Sequence, residues 1–323
     1  SLSGMDRLFP YVLICLEVYN MKFTKRIAAI LLAGIMTLSA CNASDVVTTT
    51  GTEAPTVEVT TTTTATSSEE EVVDETEGKG FYVEGTKLYD ANGNEFIMRG
   101  VNYAHTWFKG ELHTAIPAIA ETGSNTVRIV LSNGYQWTKD SLESINEIID
   151  LCKQHKMIAV LEVHDGTGKN ESSVLEGIVD YWIEMKDALI GNEAYVILNI
   201  ANEWYGEWGE DKWAEPYISQ IPRIREAGIK NLIMVDSAGW GQYPKSIAMC
   251  GKDVLAADPL GNTMFSIHMY GTAGKTEKVI QRNIDNVQKQ GLCVCIGEFG
   301  FDHSDGDVKE EFIMQYCTEI GVG

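Results

Sequence analysis

Val196-Ile197-Leu198-Asn199-Ile200-Ala201-Asn202-Glu203-Trp204 is an apolar run of strand length that stops at an Asn-Glu pair followed by an indole. A run this apolar suits a parallel strand buried on both faces. In barrels of parallel strands the reactive groups gather at the carboxyl ends, so Glu203 stands where chemistry is placed. A carboxylate beside an amide and an aromatic ring suits cleavage of a sugar bond, provided a second carboxylate reaches the same mouth. Glu298, at the end of a later strand-like run, is that second group.

Working outward, strand-like and helix-like patterns alternate through residues 81–323. Tyr82 to Asp90 reads as a small hairpin turning at Gly85, and Asn92-Gly93 supplies another turn. Strands are expected at Phe96–Val101, Thr126–Leu131, Met157–His164, Val196–Ile200, Leu232–Asp236, Met264–Met269 and Leu292–Gly297. Amphipathic helices are expected between them, among them Leu142–Gln154 and Val174–Leu189. This order predicts an α/β protein, a (β/α)8 TIM barrel. The eighth strand is missing, because Gly321-Val322-Gly323 falls where it should begin. The expectation is a barrel truncated before or within strand eight, with two unpaired edges.

Upstream of this domain the composition changes twice. Residues 1–20 have no clear period and no assigned role. Met21 opens a segment (21–41) with a basic start at Lys22, Lys25 and Arg26, an apolar core from Ile27 to Leu38, and Leu38-Ser39-Ala40-Cys41. The core is short for a membrane span, and the pattern is that of a lipoprotein-type signal peptide with Cys41 as lipid anchor. The alternative is an ordinary cleaved secretory signal; either predicts export, to the cell surface or medium. Residues 42–80 are a Thr/Glu-rich linker, expected to be disordered because so little apolar surface can be buried.

The formal charge is −21, of which the first 41 residues carry +2 and the linker −8, so most of the acidity lies in the folded part. That argues against nucleic acid as a partner and for a neutral substrate. Seven cysteines in 323 residues form no disulfide framework and fit no zinc spacing. Cys293 and Cys295 read as small packed hydrophobes on the strand face opposite Glu298.

Alternation along each strand assigns the groups that meet at the mouth. Glu298 follows Val294 and Ile296 on one face, and Glu203 lies just past the fourth strand. Two such carboxylates about 5–5.5 Å apart run a retaining glycoside hydrolysis, one attacking the anomeric carbon and the other transferring the proton. Arg128, in the middle of an apolar strand, needs a carboxylate partner. The bland partner is Glu162; the functional one is Glu298, which Arg128 would hold ionised while burial keeps Glu203 protonated. His164 ends strand three, and His268 and Tyr270 end strand six. Tyr103, Trp107, Trp204, Trp208 and Trp240 fall in the same loops and offer flat faces to sugar rings. Trp213 falls on a helical stretch and reads as core.

These residues resemble glycoside hydrolase family 5, and more closely its bacterial endo-β-1,4-mannanases. The resemblance is carried by Met98 to Trp107, Leu161-Glu162-Val163-His164-Asp165, Asn199 to Trp204, Asp236 to Pro244, Ser266-Ile267-His268-Met269-Tyr270 and Ile296-Gly297-Glu298-Phe299-Gly300. It implies a catalytic domain over 81–323, with Glu203 as acid/base, Glu298 as nucleophile and Asn202 at the sugar 2-hydroxyl. Arg128, His164, His268 and Tyr270 would support the carboxylates, and Trp107, Trp204 and Trp240 would contact the sugar. Trp after Asn202-Glu203, with the strand-five block, leans towards mannan over cellulose. The implied protein is a monomer that acts on β-mannan-type polysaccharide without cofactor or metal and touches membrane only through Cys41. The alternatives are an endo-β-1,4-glucanase of the same family and an inactive surface glycan-binding protein. In the family, strand eight brings a tryptophan that floors the cleavage subsite; this sequence lacks it.

Overall fold

The structure, a computed structural model, describes residues 80–323. The segments 1–20 and 21–41, Cys41 itself and the linker up to residue 79 lie outside the described residues. Among those described, no helix is long and apolar enough to cross a membrane.

Seven parallel strands form one sheet in sequence order: β3 (Gly100–Tyr103), β4 (Thr126–Leu131), β5 (Ile158–Val163), β6 (Val196–Asn199), β7 (Ile233–Asp236), β8 (Thr263–Met269) and β9 (Val294–Phe299). Helices alternate with them, which is the (β/α)8 architecture. The expected helix Leu142–Gln154 is present with those bounds, capped by Ser141, whose hydroxyl accepts from the Ser144 amide. Ile145, Ile148, Ile149 and Cys152 bury its inner stripe. The expected helix at Val174–Leu189 is two pieces, Ser172–Glu184 and Lys186–Leu189.

The first barrel strand lies further along the chain than its apolar pattern predicts. Phe96 to Arg99 does not pair as barrel strand, because the Asn125 side chain takes the partner's place. It donates to the Ile97 carbonyl (3.0 Å) and accepts from the Arg99 amide (2.8 Å). Phe96 and Met98 pack instead at the amino end of the barrel. There the hairpin β1 (Tyr82–Glu84) and β2 (Lys87–Tyr89), turning at Gly85 as expected, closes the floor with Phe81 and Leu88.

Alternation separates two apolar layers. Val127, Ile129, Leu161, Leu198, Val235 and Ile267 face the helices, whereas Val160, Ile197, Met234, Met264, Cys293 and Cys295 face the barrel axis. The two cysteines are therefore core groups, as read from the sequence, but they face the barrel axis, the side that Glu298 also faces, and not the side opposite it; Trp213 is fully buried as well. Val294 and Ile296 lie on the helix side. Simple alternation would aim Glu298 the same way, so the strand-face argument for Glu298 fails. A β-bulge corrects the aim: Ile267 pairs with Ile296, but His268 pairs with Glu298, leaving Gly297 as the extra residue. Gly297 and Glu298 consequently both face inward. Glycine leaves the room this needs, since a Cβ at 297 would lie 2.3 Å from Ser266 Oγ and force that side chain to move.

Among the described residues β3 and β9 do not pair with each other. Between them the Ile296 amide donates to the Gly323 carbonyl (3.0 Å), and Arg99 Nη1 donates to the Val322 carbonyl (2.9 Å). A cavity of about 430 Å³ opens at this seam, lined by Met98, Asn102, Cys295 and Cys317 among others.

Candidate active site

Every barrel strand sends one polar side chain inward towards its carboxyl end: Asn102, Arg128, Glu162, Asn199, Asp236, His268 and Glu298. They form a layer above the apolar one. Arg128 is its hub. Its Nη1 meets Glu298 Oε1 at 2.7 Å and lies 3.7 Å from Glu162 Oε1; its Nη2 reaches Asn199 Oδ1 and Asn202 Oδ1, each at 2.8 Å, and Asp236 Oδ2 at 3.4 Å. Both partners expected for Arg128 are thus present, with Glu298 the closer. Burial disfavours its charge, but Glu162, Glu298 and Asp236 outweigh that and keep it protonated.

Glu203 follows β6 with φ +47°, a left-handed conformation that costs a non-glycine residue roughly 1–3 kcal/mol. Its amide donates to Asp236 Oδ2 (3.0 Å), which holds the backbone in this turn. His268 bridges the two carboxylates, with Nδ1 2.8 Å from Glu203 Oε1 and 3.7 Å from Glu298 Oε2. One oxygen of Glu203 and one of Glu298 lie within 4.8 Å of each other. That is too close to admit a water between them, as the wider spacing of about 6.5–9.5 Å in inverting enzymes does, and so favours retention.

The two carboxyls are driven in opposite directions. For Glu203, burial raises the pKa; the His268 contact opposes this, and the nearby Glu298 charge adds to it. For Glu298, burial is outweighed by His268, Arg128 and His164 and by the Tyr270 hydroxyl, which donates to Oε2 at 2.8 Å, and the pKa falls. His268 itself stays protonated because Glu298 and Asp236 outweigh its burial. Its Nε2 is 3.4 Å from Asp236 Oδ2, an ion-pair distance without hydrogen-bond geometry. His164, on the turn after β5, donates from Nδ1 to Glu162 Oε1 (2.9 Å), and against its burial the Glu162 charge raises its pKa. Asn202 is buried, with its amide nitrogen donating to Thr167 Oγ1 (2.8 Å) and its oxygen held by Arg128.

The aromatic expectations divide. Trp107 is 43% exposed and packs edge-on against His164 and Trp137, centroids 5.1 Å apart in each pair. Trp240 (49% exposed) lies over Gly168, and Trp208 (56%) against Tyr243. Trp204 does not face the mouth. It is fully buried against Tyr205 and Tyr217, and its indole N–H donates to the Glu171 carbonyl (3.3 Å). The left-handed turn at Glu203 sends the carboxylate into the mouth and the next side chain into the core. Tyr103 is also buried, donating to the Phe108 carbonyl.

Asn102, Asn199, Asp236 and Trp137 were not singled out from the sequence. Asp236 accepts from the Glu203 amide and Asn199 Nδ2 and faces both Arg128 and His268. The signal was available, since Asp236 continues the inward face of Leu232 and Met234. Trp137 lies in an irregular loop with no period to place it.

A parallel barrel that aims two oppositely tuned carboxyls across one open mouth defines a glycoside hydrolase. The family model for cellulase (glycosyl hydrolase family 5) matches residues 89–323, and the chain belongs to that family. It is 59% identical over 244 residues to a mannan endo-1,4-beta-mannosidase of Salipaludibacillus agaradhaerens, covering 76% of this chain and 79% of that protein. A mannan endo-1,4-beta-mannosidase of Streptomyces lividans is 40% identical over 256 residues, covering 77% of this chain and 66% of the other. Among solved structures, the mannohexaose complex of Thermomonospora fusca beta-mannanase superposes with a TM-score of 0.70 at 40% identity, over 76% of this chain and 82% of that one.

Proposed function

We propose that this protein is an endo-hydrolase of β-1,4-mannosidic bonds in mannan, glucomannan or galactomannan, acting with retention. The observation that carries it is the pair Glu203 and Glu298, with oxygens within 4.8 Å and pKa values moved apart. Glu298, ionised, attacks the anomeric carbon while Glu203 gives its proton to the departing oxygen. Glu203 then takes a proton from water, whose oxygen bonds to the anomeric carbon as the bond to Glu298 breaks, leaving an anomeric hydroxyl in the original configuration. Side chains supply the nucleophile and both proton transfers, so the chemistry calls for no cofactor. Arg128, His268, His164 and Tyr270 hold the charge on Glu298, Asn202 meets the sugar 2-hydroxyl, and Trp107 and Trp240 flank the chain of sugars. The mannan preference rests on the similarity to the two mannosidases above.

Product release from pure mannan, glucomannan and carboxymethyl cellulose tests the substrate. Release from mannan is expected to dominate, and release from the cellulose derivative alone would favour the glucanase reading. Glu298→Gln is expected to lower kcat on the order of 10⁴-fold or more, since the nucleophile is lost. Binding of mannan oligosaccharides by the wild-type protein without any product would favour a glycan-binding role.

The leader supports a further part of the proposal: the protein is exported and held at the cell surface through lipid on Cys41. Incorporation of labelled palmitate in a bacterial host, lost in Cys41→Ser, is the expected result; equal labelling of both would discard the anchor.

A further inference from the structure

We propose that the short hairpin after β9 is a clamp that fixes Tyr270 against Glu298, with His303 as its positioning residue. The hairpin comprises β10 (Asp302–His303) and β11 (Gly306–Asp307). The inference deepens the proposed reaction and rests on Glu298 being its nucleophile.

Tyr270 follows β8, and its hydroxyl donates to Glu298 Oε2 at 2.8 Å. A phenol on two rotatable bonds keeps that contact only if its ring has a wall. His303 supplies a face of that wall, beside the Gly300 backbone at the ring edge: the rings stack with centroids 4.4 Å apart and planes 28° from parallel. His303 makes no hydrogen bond to Glu298. Its Nδ1 is instead bonded to Asp305 Oδ1. The same carboxylate accepts from the Gly271 amide (2.9 Å), the Thr272 amide (2.9 Å) and hydroxyl (3.0 Å), and Gln242 Nε2 (3.2 Å).

Asp305 therefore grips the two backbone amides directly after Tyr270 and the ring stacked on Tyr270. Those bonds outweigh its partial burial and hold its pKa at about 2, so the grip is ionised throughout the neutral range. The contact is close as well as polar. A Cβ at Gly271 would lie 2.4 Å from the Asp305 carbonyl carbon, so the hairpin rests on the backbone of the residue after Tyr270. A loop that merely joined β9 to the next helix, Glu310–Ile320, would have no reason to tie itself to the end of β8.

The test reads Glu298 directly, by carbon-13 NMR titration of glutamate-labelled protein, and so does not depend on turnover. Arg128, His164, Glu203, His268 and Tyr270 face Glu298, and substitution of His303 removes none of them. Tyr270→Phe is expected to raise the Glu298 midpoint by about one pH unit, and His303→Ala by about half a unit. His303→Phe, which keeps the stack, is expected to restore the wild-type midpoint. In the Tyr270→Phe background, His303→Ala should add less than about 0.2 unit, because the two act through one contact. With substrate, His303→Ala should lower kcat about tenfold and leave KM nearly unchanged. An unmoved midpoint in His303→Ala, failure of His303→Phe to restore it, or equal shifts with and without the Tyr270 hydroxyl would overturn the clamp. A wild-type protein inert on every β-1,4-linked glycan would overturn the proposed reaction instead, and the titration would still decide the clamp.

Discussion

Glu203 and Glu298 are the same amino acid, and what separates their roles is what surrounds each. Arg128, His268 and the Tyr270 hydroxyl converge on Glu298, while burial dominates at Glu203. Activity requires Glu298 ionised and Glu203 protonated, so it is lost as pH falls through the lowered Glu298 value or rises through the elevated Glu203 value. A bell-shaped kcat/KM profile follows, whose limbs belong to the coupled pair. Arg128→Lys removes the fork that spans Glu298, Asn199 and Asn202. Its expected effect is a fall of about 10²-fold in kcat/KM together with an upward move of the acid limb. An acid limb that stays in place would show that Arg128 does not hold the nucleophile ionised. Much of this was legible in the sequence, because a cation amid apolar strand residues demands a partner. The burial of Trp204 was not, since a left-handed turn at Glu203 has no signature in residue type.

At the scale of elements, the bulge in β9 is what makes the site. Two-residue alternation in Val294-Cys295-Ile296-Gly297-Glu298 places Glu298 with Val294, on the helix side. The extra residue at Gly297 turns it inward, and the missing side chain leaves room for Ser266 and His268. Gly297→Ala would set a Cβ 2.3 Å from Ser266 Oγ and 3.2 Å from His268 Nε2. Displacement of His268, which bridges the two carboxyls, is expected to lower kcat/KM by about 10²-fold. Steady-state kinetics beside a thermal melt check this; a variant with wild-type kinetics would mean that the bulge can relax without moving His268. Alternation alone aims Glu298 at the helices, and the bulge is what brings it to the mouth beside Glu203.

For the whole molecule, chemistry and stability lie at opposite ends of the barrel. At the amino end Arg225 meets Asp258 through Nε and Nη2 (2.9 and 2.8 Å), and Asp258 also accepts from the Leu260 and Asn262 amides and the Thr263 hydroxyl. Asn262 in turn holds the floor hairpin, donating to the Phe81 carbonyl (2.9 Å). Burial opposes the Asp258 charge, but these partners outweigh it and lower the pKa. The stabilisation is therefore complete above the unfolded aspartate value, about 4, and is lost as pH falls through the folded value. Asp258→Asn is expected to cost about 3–5 kcal/mol in urea unfolding at neutral pH, with kcat unchanged and a gap to wild type that narrows in acid. An equal gap at all pH values would remove the ion pair from the account.

The sequence by itself determined the barrel and its alternation of strands and helices, although the first strand lies displaced at Gly100–Tyr103, and it singled out the two carboxylates. Periodicity is a local property, and a polar residue ending an apolar run is visible without coordinates. Only the tertiary structure decided the contacts, among them which way Glu298 points, that Asp236 holds the Glu203 turn, and that His303 stacks on Tyr270. Each depends on a bulge, a left-handed residue or a meeting between loops far apart in the chain. Such features arise from the fit of one strand to its neighbour, and residue order alone does not encode them in any readable pattern.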